Sequence, residues 1–158
     1  MLDFEKEKTK RNAVYLPLIR IFYQQKKYEQ CEKYSEIYLS ENPEEKERAQ
    51  ILFYYADALC KKGEIARAAK VLLEKDRPAT KALDKLAGEL FFDLGQYDLV
   101  EYYLSRAQDG ETKDPGVILK RAEALYHADK WQKAIPLYES LLENSRFDGQ
   151  AGYRLIQI

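Results

Sequence analysis

ILKRAEALYHADKWQKAIPLY, residues 118–138, carries the pattern on which the fold depends. Ile118, Ala122 and Leu125 fall four and three apart, the spacing that gathers side chains on one face of a helix. The apolar stretch halts at Ala128-Asp129-Lys130-Trp131, and a second amphipathic run follows with Ala134 and Tyr138 on its apolar side. Two helices joined by a short polar turn make a hairpin.

The same arrangement occurs three more times upstream. Its turns are Gln25-Lys26-Lys27-Tyr28, Lys62-Gly63-Glu64-Ile65 and Leu94-Gly95-Gln96-Tyr97. From the bulky residue that closes each turn to the next, Tyr28 to Ile65 is 37 residues, Ile65 to Tyr97 is 32 and Tyr97 to Trp131 is 34. A single period of about 34 residues therefore runs through the chain, as in an array of repeats. Between hairpins lie stop signals: Glu41-Asn42-Pro43, Asp76-Arg77-Pro78, Asp109-Gly110 through Asp114-Pro115, and Asp148-Gly149. β-Branched residues are scattered and no stretch alternates apolar with polar over a strand's length, so the expected class is all-α.

Small residues recur where two helices of a hairpin must approach. Ala56 and Gly88 are placed to face an aromatic or Leu, and a small side chain opposite a large one closes such a seam. Tyr15, Leu18 and Phe22 with Cys31 and Pro43 fill one unit. Leu52, Tyr55, Ala56 and Leu59 with Ala68 and Leu72 fill the next, and Ala87, Gly88 and Phe91 with Val100, Leu104 and Ala107 the third. This distribution resembles the tetratricopeptide repeat, and Trp131 to Tyr138 is especially similar to that family's second helix. The resemblance implies a right-handed α-solenoid of antiparallel helix pairs, a single repeat domain over residues 1–158. Its repeats fall at about 12–43, 47–78, 80–110 and 115–146, with residues 150–158 opening a further helix.

Four positions depart from the family pattern. Ile19 is large where a small residue is usual, Asp84 and Arg121 are polar at apolar anchors, and Lys75 replaces a small residue late in a second helix. Two prolines also fall inside apolar periodicity. Pro17 implies a kink or a helix start close by, whereas Pro136 costs at most one backbone hydrogen bond and a slight bend.

Composition narrows the functions. Of 158 residues, 26 are Lys or Arg and 27 Asp or Glu, so the strong basic footprint of a general nucleic-acid binder is missing. No apolar run approaches the roughly 18 residues of a membrane span. One His, two Cys and no Gly-rich phosphate loop supply little material for metal, nucleophilic or nucleotide chemistry, so no cofactor is expected and the chain is expected not to be an enzyme. His127 has no Cys or His at ligand spacing and reads as a surface residue. Glu44-Glu45, beside Lys46 and Arg48, reads as a solvated helix start, and the thirteen Tyr as half-buried packing groups. Cys31 and Cys60, two thiols on helical stretches, suit a reducing compartment. Met1 to Asn12 is charged rather than leader-like, so a cytoplasmic location is expected, with a nuclear one also compatible; Lys8 to Arg11, interrupted by Thr9, makes an unpersuasive localisation signal.

Function is then expected on a concave wall of first helices, where a protein or peptide segment can lie. Arg20 and Tyr23, then Phe53, Tyr54 and Asp57, then Lys85, Glu89 and Phe92, then Leu119, Glu123 and Tyr126 belong to that face. Asp57, Glu89 and Glu123 hold equivalent positions, and regular stacking would align them as an acidic row beside an aromatic one, suited to a basic and apolar segment. The competing expectation is that Asp57 pairs with Lys61, and Glu123 with His127, four residues on along the same helix. Some family members clamp a partner's C-terminal carboxylate with Lys and Asn; Leu16 and Arg20 stand on the corresponding face, and that clamp pattern is missing. A second expectation places assembly at the chain's end. Leu155 and Ile156 leave apolar surface where a capped array would be polar, suited to self-association or to docking in a larger complex. Tetratricopeptide subunits of cell-cycle ubiquitin-ligase assemblies are one such class, and Phe53 to Ala69 is loosely similar to theirs.

Overall fold

The computed structural model describes residues 14–108 and 114–158, and among them there is helix and no strand. The Lys8 to Arg11 run and the Asp109-Gly110 break lie outside the described residues. Helix α1 covers residues 14–24 of those described, and it is followed by α2 (Tyr28–Ser40), α3 (Glu45–Lys61), α4 (Ile65–Leu72) and α5 (Lys81–Asp93). Then come α6 (Tyr97–Ala107), α7 (Pro115–His127), α8 (Trp131–Glu139) and α9 (Asp148–Gln157). The chain divides into two compact units, one ending at Leu83 and the other beginning at Asp84.

Each hairpin turn is built the same way. The second residue of every turn, Lys26, Gly63, Gly95 and Asp129, has a positive φ between 56° and 80°. The next residue's N–H then reaches back to the first helix: Lys27 to the Phe22 carbonyl, Glu64 to Leu59, Gln96 to Phe91 and Lys130 to Leu125, all within 2.8–2.9 Å. A shorter-range bond from the left-handed residue itself completes each Schellman motif, which satisfies carbonyls that the helix end would leave bare. Glycine adopts that conformation without strain, whereas Lys26 and Asp129 do so at a cost of about 1 kcal/mol each.

In the first unit Ile19, Cys31, Tyr38, Ile51 and Ala58 form a buried cluster ringed by aromatics. Ile19 is fully buried there, so the large residue at a customarily small position fills the core. Cys31 is also fully buried, and burial pushes its thiol pKa up to about 11, which keeps it protonated and inert. In the second unit Ile118, Ala122, Leu125, Ala134, Tyr138, Leu141 and Ala151 make the equivalent cluster. Between α5 and α6 a side chain at Gly88 would collide with Leu104, so the close approach expected of this small residue is real.

The polar departures from the repeat pattern are each answered by a partner. Asp84 is buried on α5 and meets Arg106 Nε of α6 at 3.2 Å. Arg121 on α7 grips both carboxylate oxygens of Glu101 at 2.7 and 2.9 Å and donates to Gln108 Oε1. The expectation for Lys75 needs correction. Helix α4 stops at Leu72, so Lys75 lies in the exposed link beyond it and never meets the seam. Helix α1 continues through Pro17, and α8 carries Pro136 within its nine residues. Among the described residues no helix is long and apolar enough to cross a membrane.

Candidate functional site

On the first unit the first helices leave an open groove. A cavity of about 680 Å³ lies where the N-terminal half of α3 faces the link into α5. Ala49, Phe53 and Tyr54 line it from α3, Pro78, Ala79 and Thr80 from the link, and Ala82 from the start of α5. Glu44, Glu45 and Lys46 stand on its rim. A second cavity of about 380 Å³ lies between α1 and α3, lined by Leu16, Pro17, Arg20, Ile21 and Gln24. Gln50 and Tyr54 line both, so the two hollows share one wall and form one groove across α1, α3 and the entry to α5.

The wall is held stiffly. Tyr54 packs against Tyr23 with ring centroids 5.1 Å apart and against Phe53 at 5.7 Å. Tyr23 in turn meets Tyr28 edge-on and donates its phenol proton to Asp57. Burial, then that hydrogen bond and the carboxylate's charge, push the Tyr23 pKa well above its usual value of 10, so it stays a donor. Aromatic contacts of this kind fix a rotamer before any ligand arrives.

The predicted contact residues separate into three settings. Arg20 and Tyr54 border the groove, with Tyr23 directly behind Tyr54. Asp57 is turned inward: it accepts from Tyr23 and lies 4.0 Å from Lys61 of its own helix. In the second unit Lys85 pairs with Asp114 at 2.8 Å, and Glu89 with Lys120 at 3.5 Å. Phe92 is half-buried beside Tyr97. Glu123 is only 6% exposed, and Arg154 of α9 grips both its oxygens at 2.8 and 3.0 Å. Tyr138 and Gln150 also donate to Glu123, and His127 Nε2 lies 3.8 Å away. Burial pushes the Glu123 pKa up, but Arg154 and the other donors outweigh it and leave the carboxyl below its usual value of 4.5. Tyr126 lies beneath the same guanidinium, 4.5 Å from its ring.

Each carboxylate of the expected acidic row has a partner within its own unit. Asp57 is bonded within its unit, Glu89 is ion-paired, and Glu123 is buried under α9, so the equivalent positions have three different jobs. At the C-terminal end the two apolar residues also part company. Leu155 is half-buried against the core of the second unit, and Ile156 is 86% exposed with Tyr153 one turn earlier at 61%.

Sequence reasoning missed Ala49, Gln50 and the Pro78–Ala82 wall. Pro78 was legible only as a helix stop, and nothing in a helical period shows that the link after a stop returns to line a groove. Among the described residues no group of three or more His, Cys, Asp or Glu is placed to hold a metal ion.

No family model and no curated protein matches this chain. Solved structures do share its fold. A mutant of MamA, a tetratricopeptide-type protein, is 17% identical with a TM-score of 0.70, over 89% of this chain and 81% of that one. A MamA structure labelled MSR-1 is 16% identical with a TM-score of 0.69, over 89% and 80% of the two chains. The C-terminal part of a tetratricopeptide repeat-containing protein from Cytophaga hutchinsonii is 25% identical with a TM-score of 0.64. That match spans 90% of this chain and 57% of the other. The fold is that of the tetratricopeptide repeat, an all-α solenoid type built from helix hairpins.

Proposed function

We propose that this chain is a non-catalytic scaffold that holds an apolar segment of another protein in the first-unit groove. The observation that carries this is the apolar wall of Ala49, Phe53, Tyr54, Pro78 and Ala82 around about 680 Å³ of open space, on the first helices that repeat stacks use for binding. A segment placing one or two Leu- or Phe-sized side chains there covers Phe53 and Tyr54. Aromatic anchors of this kind contribute up to about 2 kcal/mol each, so micromolar affinity is expected. The hydrogen-bonded wall needs little ordering on binding, which favours such a site.

Selection of a random-peptide display library against the protein tests this. Peptides with an apolar centre should be enriched, and Phe53→Ala should weaken them about 30-fold while leaving the melting temperature nearly unchanged. Failure to enrich any peptide, or enriched peptides indifferent to Phe53→Ala, overturns the proposal.

A second reading is assembly through α9. It rests on Ile156 and Tyr153, both exposed, with Leu142 of the α8–α9 link also 45% exposed. Leu155 is excluded from it because that side chain faces the core. Light scattering should then show mass rising with concentration and falling back on Ile156→Asp. A mass that stays at one chain removes this reading.

A further inference from the structure

The groove's two hollows differ in charge, and the difference bears on what the bound segment carries. Around the larger one stand Glu44, Glu45 and Lys46, a mixed rim at the start of α3. The smaller one is lined by Arg20, Gln24 and Gln50 among apolar groups, and no carboxylate of the described residues lines it. Arg20 is exposed and makes no ion pair with any described residue, although most other arginines of this chain are paired. Arg20 and Gln24 lie one helical turn apart on α1, and Gln50 faces them from α3.

We infer that this hollow takes an acidic side chain of the bound segment. An Asp or Glu next to the apolar anchors receives a charge-assisted hydrogen bond from the Arg20 guanidinium and amide donors from Gln24 and Gln50. The expectation from the acidic row is thereby inverted. Asp57 is bonded to Tyr23 and close to Lys61, so the charge offered to a ligand in the smaller hollow is the positive one of Arg20. The inference rests on the groove being the binding site, and it adds which charge the partner brings.

Peptides enriched from the same random library test it. They should pair the apolar centre with Asp or Glu, and synthetic versions with that residue changed to Asn or Gln should bind about tenfold more weakly. Arg20→Glu should reverse the preference and select Lys or Arg, whereas Lys33→Glu, exposed on α2 and lining neither hollow, should leave it unaltered. Affinity should also fall between low and high salt. Each peptide is measured with a free and an amidated C-terminus, and equal affinities are expected because the acid is a side chain. Peptides that depend on Phe53 but ignore Arg20 and their own acids overturn this inference and leave the groove as binding site. A preference confined to the free C-terminus overturns it too, by assigning the hollow to a chain end.

Discussion

Neighbouring first helices are joined in two different ways in the two units. In the first, α1 and α3 meet through Tyr23, Tyr54 and the Tyr23–Asp57 hydrogen bond, and the surface beside them stays open and apolar. In the second, α5 and α7 are bridged by Lys85–Asp114 and Glu89–Lys120, and α7 and α9 by Glu123–Arg154. Stacking with aromatics leaves an apolar hollow open beside them. Stacking with ion pairs joins the helices through charges already matched within the unit, so one repeat design fastens its first helices in two different ways.

The strongest way to break that contrast is to cut each fastening. Arg154→Ala leaves the Glu123 carboxylate buried with its ionic partner gone and should cost about 3 kcal/mol, with faster amide exchange in α8 and α9. Tyr23→Phe removes one hydrogen bond from the first unit and should cost only about 1 kcal/mol in chemical denaturation. Similar costs for the two would erase the distinction.

Acidity separates the halves further. The folded-state pKa of Glu123 is lowered, so its contribution is complete above the ordinary carboxyl value of 4.5 and is lost as pH falls through the lowered value. Stability curves of the native protein and Arg154→Ala should therefore draw together only below the ordinary carboxyl value of 4.5, and meet once Glu123 is protonated in the folded protein. A gap that persists in acid would show that Arg154 acts by packing on Tyr126.

The turns offer a comparison in which the halves should agree. Lys26→Gly in the first unit and Asp129→Gly in the second each relieve a left-handed side chain and should raise stability by up to about 1 kcal/mol. Unequal effects would mean that one turn holds more than its own corner. The smallest effect belongs to the exposed Glu89–Lys120 pair. Lys120→Gln should change stability by no more than about 0.5 kcal/mol, and less in high salt.

Much of the architecture was legible because it is local. A four-residue turn with Gly63 or Gly95 between apolar helical runs specifies its own backbone, and the hairpin follows. Lys26 was found by period rather than by residue type, since Lys is not a residue that a left-handed corner favours. The acidic row was read from equivalent positions, and position along a helix carries nothing of the partners each carboxylate meets. Whether Glu123 faces water depends on Arg154, 31 residues away, and no spacing within α7 encodes that partner. Leu155 and Ile156 show the same limit on a smaller scale, because adjacent helical residues point about 100° apart and only packing decides which one is covered. The groove escaped because one side of its larger hollow, Pro78, Ala79 and Thr80, is a link with no period to read.

The repeated left-handed corner has one more consequence. Since all four hairpins close on the same pair of backbone bonds, their bends are interchangeable parts: a short cassette spanning Phe91 to Tyr97 carries everything its own bend requires. Transplanted into the other three places, it would let hairpins be shuffled or multiplied as building blocks without redesigning the joints.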